Sequence, residues 1–172
     1  MRNILVSCAL LLLPYVALSA ENPPELDTAI RAQQPIGSTS FSKLFLHVYD
    51  AQFWSDSGNW KKPPYALTIT YAMGFTPDEL ADRTYDEMKH VSSLPEDTLV
   101  SYSDKLRILY PKVRAGDRIT ALQVNAQTTS FYHNSRFLGA IHDPEFAPAF
   151  FGIWLSPKSS EPDMQKQLLP NR

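Results

Sequence analysis

Cysteine is almost absent: Cys8 is the only one among 172 residues, and it stands within the first twenty. A chain with one cysteine has no internal disulfide and no zinc-thiolate cluster. Once residues 1–20 are removed it has no thiol nucleophile either. Positive charge is also scarce. Sixteen Lys and Arg face 18 Asp and Glu, a net charge of −2, so there is no basic field to recruit nucleic acid. Gly-x-Ser-x-Gly, a phosphate loop and His-Glu-x-x-His are all missing, which removes the mechanical parts of serine hydrolases, nucleotide enzymes and zincins. The four histidines, His47, His90, His133 and His142, include no pair at the spacing that sets two ligands on one helical face. No metal site and no cofactor are expected.

One apolar run is present, and it is short. Arg2 precedes Ile4 to Leu18, and Ala17-Leu18-Ser19-Ala20 supplies small residues for a peptidase. The pattern predicts a signal peptide over residues 1–20, cleaved after Ser19 or Ala20, and a periplasmic or secreted protein. A membrane anchor needs about 20 apolar residues, and Pro14 interrupts a run already shorter than that. No stable transmembrane segment is expected after cleavage. Loss of Arg2 leaves 15 bases against 18 acids. The remaining chain, about 150 residues, can bury roughly 68–70% of its unfolded surface, enough for one domain held by packing alone.

Residues 21–36 are polar and proline-punctuated and predict an exposed N-terminal arm, with the domain proper over residues 37–172. Leu44 to Trp54 is rich in aromatic and β-branched residues and reads as a half-buried strand, followed by a turn at 55–59. Tyr65 to Met73 reads as a second strand, with Leu67, Ile69 and Tyr71 on one face. Thr76-Pro77-Asp78-Glu79 is a capping box with proline at the first helical position. The helix it opens has Leu80, Thr84, Met88 and Val91 inward. Its acids Asp82, Asp86 and Glu87, interleaved with Arg83 and Lys89, read as a solvated face. A second helix starts at Pro95 with Leu99, Tyr102, Leu106 and Leu109 on one side and stops before Pro111. Strands follow at 118–125, 128–133 and 136–141, the last two joined by a tight turn at Asn134-Ser135. Asp143-Pro144-Glu145 caps an aromatic helix, read as core packing rather than a membrane-seeking stretch, and a final helix runs from Pro162 to Leu169. Strands, two helices, a strand meander and two helices make an α+β pattern with a mostly antiparallel sheet.

Gly37, Leu44-Phe45, Val48-Tyr49-Asp50-Ala51-x-Phe53, Gly116-Asp117-Arg118, Phe131-Tyr132, Asn134, Gly139-x-Ile141 and Phe150-Phe151-Gly152-Ile153-Trp154-Leu155, with a terminal Leu168-Leu169, together form one pattern over nearly the whole mature chain. It resembles the bacterial chalcone isomerase-like family of exported proteins. The resemblance implies an open-faced β-sandwich, one long antiparallel sheet with helices over one face and a cleft between. It also implies a choice between catalysis and binding, since the plant members include isomerases, fatty-acid-binding proteins and non-catalytic helpers. The plant enzyme's Arg after the glycine-rich turn has no counterpart in Ser38-Thr39-Ser40-Phe41. At the strand-to-helix junction, Leu80 and Arg83 stand where its Tyr and Lys would be. Tyr102 and Lys105 reproduce the spelling Tyr-x-x-Lys, but in the second helix. Without the oxyanion donors, ring closure loses its main electrostatic term.

The leading expectation is therefore a non-catalytic protein holding an apolar small molecule, such as a fatty acid, in the sheet-helix cleft. Tyr49, Tyr71 and Arg83 are the candidate ligand-binding residues. The plain alternative for them is two core aromatics and a solvated cation. Two other functions stand beside this one. The first is an intramolecular lyase or isomerase on an enone-like substrate, with Tyr102 and Lys105 or Tyr71 as catalytic candidates. The second is a structural or interaction protein of the envelope.

Overall fold

A computed structural model describes residues 22–170; the proposed leader lies outside them. Six strands form a single sheet in sequence order, every neighbour antiparallel: β1 Gly37–Lys43, β2 Leu46–Ser55, β3 Tyr65–Tyr71, β4 Arg118–Asn125, β5 Thr128–His133 and β6 Arg136–His142. Helices α1 (Pro77–Val91) and α2 (Glu96–Leu109) are inserted between β3 and β4, and α3 (Phe146–Leu155) and α4 (Pro162–Leu168) close the chain. The α+β class and the antiparallel sheet follow as expected from the element order.

Local chemistry accounts for most of the elements. At the start of α1 the Thr76 hydroxyl accepts from the Glu79 amide while the Glu79 carboxylate accepts from the Thr76 amide at 2.7 Å, so two otherwise orphan donors are satisfied. Pro77 takes the first helical position, where its missing N–H costs nothing. α3 begins differently from expectation. The Asp143 carboxylate accepts from the Glu145 amide at 2.9 Å, outside the helix, and no side chain caps α3. Burial holds it instead: Phe146, Phe150, Phe151 and Leu155 are at most 2% exposed.

The expected strand over 44–54 is a hairpin turn followed by β2, and a strand that was not expected, β1, precedes the turn. β1 pairs with β2 through Phe41↔Tyr49 and Lys43↔Leu46, and Leu44 and Phe45 form the turn with φ of 50° and 66°. Apolar residues hid this turn, because a left-handed pair is ordinarily marked by Asn or Gly. Asn134 and Ser135, with φ of 47° and 69°, do form the turn between β5 and β6.

Alternation assigns the two faces of the sheet. Phe53, Leu67, Ile69, Ala121 and Phe131 turn toward the helices and pack against α3 in the main core. Trp54, Ala66 and Leu122 turn the other way, with Leu26 and Ile30 laid over them. Composition suggested an exposed arm over 21–36, but its described residues, 22–36, lie against the sheet. Leu26 and Ile30 are 0% and 1% exposed, and Asp56 accepts from the Arg31 and Ala32 amides at 2.9 Å each, fixing the segment against the sheet. The Glu25 carboxylate, with its side chain 1% exposed, meets Arg118 at 3.2 Å and the Thr120 hydroxyl at 2.5 Å. These partners lie more than 90 residues away in sequence, beyond the reach of a local reading.

Gly37 opens β1 where α4 docks on the sheet edge. A Cβ there would stand 2.2 Å from the Gln167 carbonyl oxygen, so only glycine permits the approach.

Burial raises the pKa of the Glu25 carboxyl, but hydrogen bonds from Thr120, from its own backbone and from Ser135, with a smaller pull from the Arg118 charge, outweigh it and hold the group below its ordinary 4.5. The stability it confers is complete above that ordinary value and is lost as pH falls through the depressed one. Glu25→Gln is expected to cost about 1–3 kcal/mol at neutral pH, with the gap to wild type closing in acid as the depressed carboxyl takes up its proton. Denaturant unfolding at neutral and at acid pH measures this. Leu26→Ala is expected to cost about 2–5 kcal/mol at either pH.

Candidate functional site

A cavity of about 240 Å³ lies between the sheet and the helices, against the roughly 10–15 Å³ that one water requires. Leu67 and Ile69 of β3 and Ile119 and Ala121 of β4 form its floor. Leu80 and Thr84 of α1, Phe150, Ile153 and Trp154 of α3, and Met164 of α4 form its roof. The charged side chains, with Ser160, collect at the rim: Lys43, Glu79, Arg83, Glu87 and Glu161. Apolar walls with a few fixed polar groups at one end are the form of a small-molecule site.

Sheet register carries Tyr49 and Tyr71 into this cavity as directly opposed residues of β2 and β3, their rings edge to face at 6.4 Å. Phe41 packs on Tyr49 at 5.2 Å and Phe75 on Tyr71 at 5.8 Å. The Tyr49 hydroxyl accepts from Trp154 Nε1 at 3.1 Å, which orients the phenol and leaves its own proton free to donate. Burial pushes the Tyr49 pKa up to about 12, with Arg83 and the Trp154 hydrogen bond pulling the other way. Tyr71 is pushed well up by burial with no hydrogen bond to offset it. Both phenols are neutral donors at ordinary pH.

Arg83 reaches the rim from α1 and pairs with Glu87 at 2.6 Å, one turn on. Glu87 also accepts from the Ser160 hydroxyl at 2.7 Å, tying the loop before α4 to α1. Glu87 is only 8% exposed, so it belongs to the rim rather than to the solvated face read from its spacing. Asp82, by contrast, is exposed and pairs with Arg107 at 2.5 Å. Arg83 retains guanidinium donors beyond the one given to Glu87.

The three ligand-binding candidates therefore come together around one cavity. Tyr102 and Lys105 do not join them. Tyr102 packs edge to face on Phe146 at 5.1 Å, and Lys105 lies over its ring at 5.6 Å. Neither lines the cavity. Sequence reasoning missed Trp154 as the partner of Tyr49 and the Glu87–Ser160 contact. No local signal marks pairs 105 and 73 residues apart, although the i,i+4 spacing of Arg83 and Glu87 did offer that ion pair.

The model of the chalcone isomerase-like family matches residues 37–170. Among solved structures, the chain is similar to a fatty-acid binding protein of Arabidopsis thaliana, with a TM-score of 0.60 at 11% identity over 80% of this chain and 86% of that one. No curated protein matches the sequence.

Because the cavity phenols are neutral, Tyr49→Phe is expected to leave tyrosinate formation unchanged below about pH 11. Ultraviolet titration of the folded protein checks this, and loss of a group titrating near pH 10 would contradict it.

Proposed function

The chain belongs to the chalcone isomerase-like family, and from that premise we propose that it works outside the cytoplasm as a non-catalytic carrier of an apolar small molecule with one polar head, a fatty acid fitting best. The observation that carries the reading is the polarity gradient of the cavity. Aliphatic and aromatic side chains line its depth, while Arg83, Tyr49 and Lys43 stand at or near the rim. An alkyl chain laid against Leu67, Ile69 and Ala121 gains about 0.8 kcal/mol for each buried methylene. Its carboxylate would meet the spare donors of Arg83 and the free proton of Tyr49. Glu79 opposes this little, since its carboxylate is held by Thr76, and Glu87 is spoken for by Ser160 as well as Arg83.

General-base catalysis by the cavity phenols is disfavoured because burial keeps both protonated at neutral pH. The exported location rests on the character of residues 1–20, whose Arg2, apolar run and small-residue end suit a cleaved signal.

Palmitate is expected to bind more tightly than its methyl ester, and Arg83→Ala to weaken palmitate about tenfold while sparing the ester, a loss of about 1.4 kcal/mol. Titration calorimetry reads both. Ala121→Phe, which fills the floor, is expected to abolish both without unfolding the protein. Equal binding of palmitate to wild type and to both variants would contradict the assignment.

A further inference from the structure

We propose that the β1–β2 hairpin tip, Leu44-Phe45-Leu46, docks the protein on a lipid bilayer and sets the cavity mouth at its surface. The inference rests on the carrier reading and supplies its partner. Three consecutive large apolar side chains stand free at the tip, 83%, 105% and 62% exposed, whereas the sheet's other apolar residues are mostly packed. The turn itself is built against its own chemistry. Leu44 and Phe45 both adopt left-handed φ, where Asn-Gly would sit without strain. The folded domain gains no packing from either side chain in return, so their presence answers to something outside the chain.

The position of the tip selects the partner. Phe41 and Lys43 on one side of the turn, and Val48 and Tyr49 on the other, line the cavity, so whatever receives the tip also adjoins the mouth. A projecting apolar ridge offers no groove to a protein segment, but it suits the boundary between headgroups and acyl chains, where Phe and Leu insert and a neighbouring Lys meets anionic lipid. The stem's single acid, Asp50, is engaged by Ser40 at 2.5 Å and His47 at 3.0 Å, leaving Lys43 to face the headgroups. An apolar ligand leaving such a surface would pass directly from acyl chains to the cavity.

The test uses residues 22–172, which contain the whole sheet, all four helices and both cores and omit the apolar run of the leader. Vesicles of equal phosphatidylglycerol and phosphatidylcholine are sedimented with this protein and with the double variant L44N/F45G. Wild type is expected to partition at least tenfold more strongly. The variant should melt no lower, because its turn now fits, and should take up palmitate in vesicle-free solution as wild type does. Equal partition of the two proteins, or none by wild type, overturns docking, as does tip-dependent dimerisation without vesicle binding. Vesicle binding by a protein that takes up no palmitate leaves docking standing and removes the carrier reading instead. Uptake without vesicle binding does the reverse.

Discussion

The packing of Phe150 holds the core and the cavity in one arrangement. Its ring lies within 5.5 Å of Phe131, Phe146, Phe151 and Trp154, and the same side chain forms part of the cavity roof. Edge-to-face aromatic contacts fix ring orientation as well as distance, so α3 has one seating on the sheet. That seating aims Trp154 at the Tyr49 hydroxyl, and Tyr49 in turn packs against Phe41 and Tyr71. The chain of rings runs from the middle of the core to the mouth of the cavity. With no disulfide available to the described residues, shape complementarity among these rings does the work of a cross-link.

A single sheet has two faces, and the two are closed by different means. Helices cover one with large apolar side chains. The other face carries small and polar residues such as Thr68 and Thr120, both buried and both satisfied by a neighbour: Thr68 accepts from Trp54 Nε1 at 3.2 Å, and Thr120 donates to Glu25 at 2.5 Å. Only a thin cover is needed over such a surface, and residues 22–36 supply it with Leu26, Ile30 and Glu25. The helical side is thereby free to leave space beneath it.

Features governed by local chemistry were legible in the sequence: the capping box at Thr76, the period of α1 and α2, the turn at Asn134-Ser135 and the buried aromatic body of α3. Tyr49, Tyr71 and Arg83 were legible as candidates because strand and helix assignments were enough to place them. Features that depend on distant partners were not. Nothing near Glu25 announces Arg118 and Thr120, so a proline-rich polar segment reads as an arm when it is a cover. The hairpin at Leu44-Phe45 was hidden for a different reason: its residues contradict its backbone conformation, and alternation read straight through it. Local rules fail at this tip because its side chains are not there for the fold.

The cavity phenols are buried neutral donors and the rim cation Arg83 is tethered by one acid, Glu87, an arrangement suited to holding a headgroup rather than transforming it. Native mass spectrometry of the protein isolated from its own cells tests that claim most directly. The account predicts a population heavier than the chain by the mass of a long-chain carboxylic acid, stripped by organic extraction and restored by adding palmitate. A chain that is uniformly ligand-free as isolated and stays so in the presence of palmitate would contradict it.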